Sequence, residues 1–310
     1  MIIVTGTLAY DYIMEFPGKF GEYILPKHTN NINLSFIVDK FAKHRGGTAG
    51  NVSYTMGLLK TPHLLFSYAG SDFEEYKKAF DALAIDTSHV VIDADVHTAT
   101  GFAMTDASNN QIWGYYYGAS GKTPSLKLET VAKPLDFIII GPQGAKGSIS
   151  FVKQCIELKI PYMFDPGFIL TEVSDKDLTT GITHADFIIG NEYEIELIKT
   201  RVANFKLLSK NKTVITTLGD KGASINNQGK MYNIAPVKVK TVVSTTGAGD
   251  AWRGGFLSGY IRGQSMQTCG QIGAVAASYV VEHFGTQEHK YTLGEFQDRY
   301  RQTYDDLLKL

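Results

Sequence analysis

The chain predicts an α/β fold: a mostly parallel sheet with helices packed on both faces. Three observations predict it. Short, continuous apolar runs recur along the sequence, as strands buried on both faces require. Several of these runs end in small or polar residues. Stretches with helical spacing separate them, the alternation that builds parallel sheets.

In order, Ile2–Val4 runs into Thr5-Gly6-Thr7, and Phe137–Ile140 into Gly141-Pro142. Tyr162–Phe164 runs into Asp165-Pro166, Phe187–Ile189 into Gly190-Asn191, and Val214–Ile215 into Thr216-Thr217-Leu218-Gly219. Helices are predicted between them, for example over Gly147–Leu158 and Glu192–Thr200. The C-terminal third predicts helices over 249–262, 267–283 and 292–309. In such sheets, ligands bind beyond the carboxyl ends of the strands. Those ends are where the polar residues and glycines collect.

Two stretches break this rhythm. Residues of about 12–45 lack a good helix, and about 96–118 alternate and are rich in Thr, Phe, Trp and Tyr around an Asn109-Asn110 turn. Both are predicted to be antiparallel strands of a small second layer, a lid on one domain spanning 1–310. Edge hairpins of the main sheet are the alternative.

Composition bounds the function. A chain of 310 residues buries roughly three quarters of its unfolded surface and needs no staples. Net charge is −1 with no basic block, which argues against a nucleic-acid partner and an electrostatic membrane anchor. No run approaches 18 apolar residues, and the start MIIVTGTLAYD reads as a first strand instead of a signal peptide, so a cytoplasmic location is expected. Cys155 and Cys269 lie far apart and read as buried apolar residues.

The strongest motif is Thr245-Thr246-Gly247-Ala248-Gly249-Asp250-Ala251-Trp252-Arg253-Gly254-Gly255-Phe256. Val242 and Val243 before it predict a strand, and the residues after it have helical spacing. The glycines then sit at a helix N-terminus, where free N–H groups and the helix dipole favour an anion. An acid in that first turn makes sense if Asp250 takes a proton from a hydroxyl while the N–H groups stabilise a transferring phosphoryl group. An ordinary helix cap is the plainer alternative.

Other motifs accompany it. Arg45-Gly46-Gly47-Thr48-Ala49-Gly50-Asn51 opens a helix, with glycines that admit a ligand close to the backbone and an amide that both donates and accepts. Asp11 follows the first strand and suits a sugar diol. Asn191 and Glu194 are oxygen donors one turn apart, suited to Mg²⁺ held largely through its waters. Thr217-Leu218-Gly219-Asp220-Lys221-Gly222 is a tight turn at a strand end, able to approach a nucleotide. Each also has a bland explanation as a turn or cap.

In this order, the motifs resemble the ribokinase family, the phosphofructokinase-B superfamily, over nearly the whole chain. The resemblance implies a ribokinase-like three-layer fold with a β-stranded lid, and MgATP as phosphoryl donor. It implies Gly247, Ala248 and Gly249 as an anion hole and Asp250 as base. It places Asp11, Gly47 and Asn51 on the substrate, with Thr7 and Gly46 beside them. It places Asn191 and Glu194 on Mg²⁺ and phosphate, and Thr217, Gly219 and Gly222 on ATP. Within the family the chain is most similar to bacterial adenosine and nucleoside kinases, through Thr5–Asp11, His44–Asn51, Ala251–Phe256, Gly285-Thr286-Gln287-Glu288 and Ile24-Leu25-Pro26…Asn33-Leu34-Ser35-Phe36. A nucleoside needs an aromatic surface for its base. Tyr115 is the first candidate in the lid and Phe102 the second, among Trp113, Tyr116 and Tyr117.

The sequence departs from the family at two places. Ser244 stands where the family has an acid that serves a monovalent-cation (K⁺) site. Gly167-Phe168-Ile169 replaces a polar run that contacts ribose in adenosine kinases. The expected partner is a small-molecule substrate, a nucleoside or a sugar, bound by a monomer or homodimer.

Two decoys are set aside. Gly118-Ala119-Ser120-Gly121-Lys122-Thr123 resembles a P-loop, but position 116 is Tyr and Pro124 stands where a helix must begin. Gly247-x-Gly249 lacks the third glycine of a dinucleotide fingerprint, since position 252 is Trp. The eight histidines show no zinc-type spacing. Three functions therefore stand: a nucleoside kinase preferring adenosine; a kinase of a free sugar such as ribose, favoured by Phe168 and Ile169; and a binding protein on a kinase scaffold, against which the intact Asp250, Asn191 and Glu194 argue.

Overall fold

The apolar runs form the strands they predict, and each strand feeds two cores. The structure, a computed structural model, describes residues 1–24, 34–108, 110–131 and 134–310. Asn109 and part of the Ile24–Phe36 stretch lie outside the described residues. The strands are β1 (Ile2–Thr5), β2 (Ala9–Glu15), β3 (Lys40–Gly46), β4 (Leu64–Gly70), β5 (Asp86–Asp93), β6 (Ala99–Thr105), β7 (Gln111–Tyr116), β8 (Phe137–Ile140), β9 (Tyr162–Phe164), β10 (Phe187–Asn191), β11 (Thr213–Thr217), β12 (Ala223–Asn227) and β13 (Lys230–Ile234). The helices are α1 (Phe20–Tyr23), α2 (Thr48–Leu58), α3 (Glu74–Asp81), α4 (Ala145–Leu158), α5 (Asp175–His184), α6 (Glu192–Arg201), α7 (Phe205–Leu208), α8 (Ala248–Ile261), α9 (Met266–Val281) and α10 (Leu293–Tyr304).

Among the described residues, nine strands form one sheet in the order β13-β12-β11-β10-β9-β8-β1-β4-β5. β5 through β11 in that order are mutually parallel, and β12 and β13 add an antiparallel edge. Side chains alternate between the two faces. Ile2, Val4, Phe137 and Ile139 enter a core shared with α2, α8, α9 and α10. Ile3, Ile138, Ile140 and Ile188 enter a second core shared with α4, α5 and α6.

β3, β2, β6 and β7 form the separate four-stranded sheet. Its edge pairs are antiparallel as predicted, but its central pair, β2 with β6, is parallel. Two further expectations are corrected. Val242 and Val243 form no strand. Both are exposed, and Val243 N donates 2.7 Å to Val281 O at the end of α9, so a helix end satisfies the backbone that a sheet ladder would have used. The last helix stops at Tyr304 because Asp305 turns left-handed, with φ 50°. No helix among the described residues is long and apolar enough to cross a membrane.

Candidate active site

Two helix N-termini meet at the carboxyl ends of the parallel strands. α2 begins at Gly47, whose φ of 83° is favourable only for glycine. A Cβ there would lie 2.5 Å from Thr7 O, so the strand-end turn and the helix start touch through bare backbone. The predicted Thr7 serves this junction: its Oγ accepts from Thr48 N at 3.2 Å, and its carbonyl accepts from Ala49 N at 3.0 Å. α8 begins at Gly247, with φ 81°. Asp250 sits in its first turn and accepts a 2.8 Å hydrogen bond from Asn51 Nδ2 on α2. Residues 199 positions apart in sequence thus form one unit.

Asp250 faces a cavity of about 750 Å³, the size of a small-molecule site. Gly247, Ala248 and Gly249 line it, as do Asn191, Glu194, Thr217, Gly219 and Gly222. The neighbouring strands β10 and β11 end there in Asn191 and Thr217, and Asp165 directly follows β9. A Cβ on Gly219 would meet nothing within 4 Å, so this turn presents open backbone to the cavity. Asn191 and Glu194 hold each other in a reciprocal capping box: Asn191 Oδ1 accepts from Glu194 N and Glu194 Oε2 accepts from Asn191 N. The bland reading of this pair is therefore real, and it also aims two oxygen-bearing groups at the cavity.

Sequence reasoning gave no role to Asp165 or Arg253. Arg253 is one turn after Asp250 on α8 and almost fully buried. Its Nη2 donates to Asp165 Oδ1 at 2.8 Å, and its Nε lies 2.5 Å from Asp165 Oδ2. An arginine at i+3 from the first-turn acid of an apolar helix was the available signal. Burial pushes the Asp250 carboxyl up to about 6; Arg253 and the Asn51 bond oppose the rise, while Asp165 and Glu194 add to it. Burial also raises Glu194, with Asp165 contributing. Three carboxylates thus share one guanidinium, a negative surplus that a divalent cation would offset. Among the described residues no cluster of three ligating side chains could cage a metal. Near the same loop, Ser244 Oγ accepts from Thr246 N at 3.3 Å, and no carboxylate stands in its place.

The smaller sheet brings the Asp11 carboxylate against Gly46, just before the start of α2. Across the sheet, His44, Asp11, Gly101 and Tyr115 fall in one row and share one face. A Cβ on Gly46 or Gly101 would collide with the Asp11 carboxylate, so glycine keeps both approaches open. Burial pushes Asp11 up to about 6, with His44 acting in the opposite direction. Tyr115 is 74% exposed on that face and stacks on Trp113, with ring centroids 5.4 Å apart. Phe102 is corrected. It pairs with Tyr12 and Gly114 in the adjacent row, on the opposite face, and stacks on Tyr12 at 5.4 Å. Lys122 of the P-loop decoy pairs with Asp93, and its loop is a 3₁₀ turn away from the cavity's glycines.

The profile of the pfkB family carbohydrate kinases matches residues 21–292. The chain belongs to this family. A nucleoside kinase of Methanothermobacter thermautotrophicus is 30% identical over 96% of this chain and 95% of its own. The Burkholderia thailandensis nucleoside kinase in complex with inosine superposes with a TM-score of 0.88 at 30% identity, covering all of both chains. The Methanocaldococcus jannaschii nucleoside kinase, described as an archaeal member of the ribokinase family, gives 0.87 at 28% identity over 97% of this chain and 98% of that one. The pfkB-family chain therefore has the ribokinase-like fold, and it is a kinase by membership.

Proposed function

We propose that this kinase transfers the γ-phosphoryl group of ATP to the 5′-hydroxyl of a nucleoside, adenosine preferred. The observation that carries the proposal is the Asn51–Asp250 unit, set between the strand-end cavity and the Asp11 face of the smaller sheet. Nucleoside, as opposed to free sugar, is supported by the relatives named above and by the inosine complex of one of them. The exposed Trp113–Tyr115 stack offers the base a flat surface beside the ribose-binding Asp11.

Each residue then has a role. Asp11 accepts hydrogen bonds from the ribose hydroxyls. Gly46 and Gly47 admit the ribose close to the backbone. Asp250 takes the proton of the attacking hydroxyl. The N–H groups of Gly247, Ala248 and Gly249 receive charge on the transferring group. Thr217, Gly219 and Gly222 hold the nucleotide. Asn191 and Glu194 orient the waters of Mg²⁺, which when bound neutralises phosphate charge. With Ser244 in place of an acid, a K⁺ near this loop would have only neutral ligands, and turnover should change little when K⁺ is replaced by tetramethylammonium.

A free-sugar kinase is the second reading, favoured by Phe168, which lines the cavity. Ile169 is fully buried and leaves that argument. The deciding experiment is ADP release from MgATP with adenosine, inosine, other nucleosides, ribose and fructose 6-phosphate. Highest kcat/KM on adenosine bears out the proposal. Turnover on ribose alone replaces it with the second reading, and equal turnover on all nucleosides removes the adenosine preference.

A further inference from the structure

A chain of buried hydrogen bonds runs from the smaller sheet to Asp250, and its direction is forced. It begins at the Gly46 carbonyl, at the end of β3, which can only accept. Tyr76 OH donates to it at 2.7 Å. Having spent its proton, the Tyr76 hydroxyl can only accept from Gln287, whose Nε2 lies 2.6 Å away. The amide nitrogen of Gln287 also faces Asn51, donating to Oδ1 at 2.9 Å. Asn51 therefore shows its oxygen to Gln287 and its NH₂ group to Asp250, at 2.8 Å. Thr286 Oγ1 also lies 2.8 Å from Asn51 Oδ1, but its one proton is shared with the Arg45 carbonyl at 2.9 Å. Gln287 is the committed donor. It is 1% exposed, and Tyr76 is fully buried, so water cannot substitute for either.

We infer that Gln287 is a positioning residue for phosphoryl transfer: it locks the Asn51 amide so that its donor face, not its oxygen, meets the Asp250 carboxylate. Without Gln287 the Asn51 oxygen keeps only the proton that Thr286 shares with the Arg45 carbonyl, so the amide is held less firmly against turning its oxygen toward the Asp250 carboxylate. That arrangement opposes ionisation of Asp250. The charged groups around Asp250 are Arg253 on its own helix, Asp165 after β9 and Glu194 on α6. None of them touches Gln287, whose other partner is the Tyr76 hydroxyl, so the substitution reaches Asp250 through Asn51.

The inference rests on Asp250 being the base, and the experiment separates the two. Turnover of wild type and Asp250→Asn is measured first; full activity of Asp250→Asn would overturn both readings. Then kcat is followed from pH 5 to 9 for Gln287→Met, which preserves volume but cannot donate. The acidic limb should move up by about one pH unit, a roughly fivefold loss at pH 6 that approaches tenfold at pH 5, with little loss at pH 9. Saturating ATP and nucleoside keep the comparison on kcat. An equal loss at every pH, or a limb that stays in place while Asp250→Asn is inactive, overturns this inference alone. Should Gln287→Met fail to fold, Gln287→Leu, which is also uncharged and cannot donate, is read in the same way.

Discussion

Asp250 carries opposite demands for stability and for chemistry. Burial raises its folded pKa to about 6 from an ordinary 3.8. The folded state then holds the proton more tightly than the unfolded chain between these values. The stability it lends is present below pH 4 and is lost as pH rises through about 6. Asp250→Asn should therefore raise the thermal midpoint at pH 7–8, by about 1–3 kcal/mol of stability after allowing for the open cavity. The same variant should lose about 10²–10⁴-fold in kcat, the usual worth of a general base. Wild-type kcat should fall as pH drops through about 6. Arg253→Met tests the neighbouring pair. It leaves buried Asp165 without its partner and should cost about 3–5 kcal/mol in a denaturation curve. Asp250 was legible from its motif because a first-turn acid after glycines is a local pattern. The Asp165–Arg253 pair was not, because it joins residues 88 positions apart and no local rule pairs them.

At the scale of elements, the two helices of the site are held by bare contacts. A Cβ on Gly254 would lie 2.8 Å from Val52 O on α2, and one on Gly255 2.8 Å from Ile272 O on α9. The second glycine pair of the long motif thus serves helix packing, not phosphate. Gly254→Val should push α8 from α2, cost about 1–3 kcal/mol or more of stability, and lower kcat by separating Asn51 from Asp250. The parallel strands were legible because their apolar runs need only local periodicity. The faces of the smaller sheet were not. Which of Phe102 and Tyr115 meets Asp11 depends on the β2–β6 register, and a one-residue shift of β6 with β7 exchanges them. This yields a discriminating pair. Tyr115→Ala should weaken nucleoside binding by ~1–3 kcal/mol, the worth of one stacked base. Phe102→Ala should leave the nucleoside KM unchanged.

For the whole molecule, the proposed function gives the phosphoryl donor to the main sheet and the nucleoside base to the smaller one, and a natural probe reports on the smaller sheet. The chain has two tryptophans. Trp252 is buried against Phe256 on α8, whereas Trp113 stands beside Tyr115 on the smaller sheet. In a Trp252→Phe variant, which removes the tryptophan that lines the strand-end cavity, adenosine should still change the emission of Trp113. An unchanged spectrum at saturating adenosine would remove the aromatic stack from the base pocket.

The position of β1 has a consequence for how the protein comes into being on the ribosome. This strand sits inside the main sheet, third from one edge, flanked by β4 and by β8, whose register partners begin at Phe137. The first strand to be synthesised must wait for the middle of the chain. Its core face waits longer still, because α8, α9 and α10 cover it. The Asn51 side chain meets its partners at positions 250, 286 and 287. A nascent chain therefore exposes apolar strand surface through most of translation, a hazard for aggregation. It has no assembled proton-accepting unit until its last few dozen residues have emerged, so activity and completed folding arrive together.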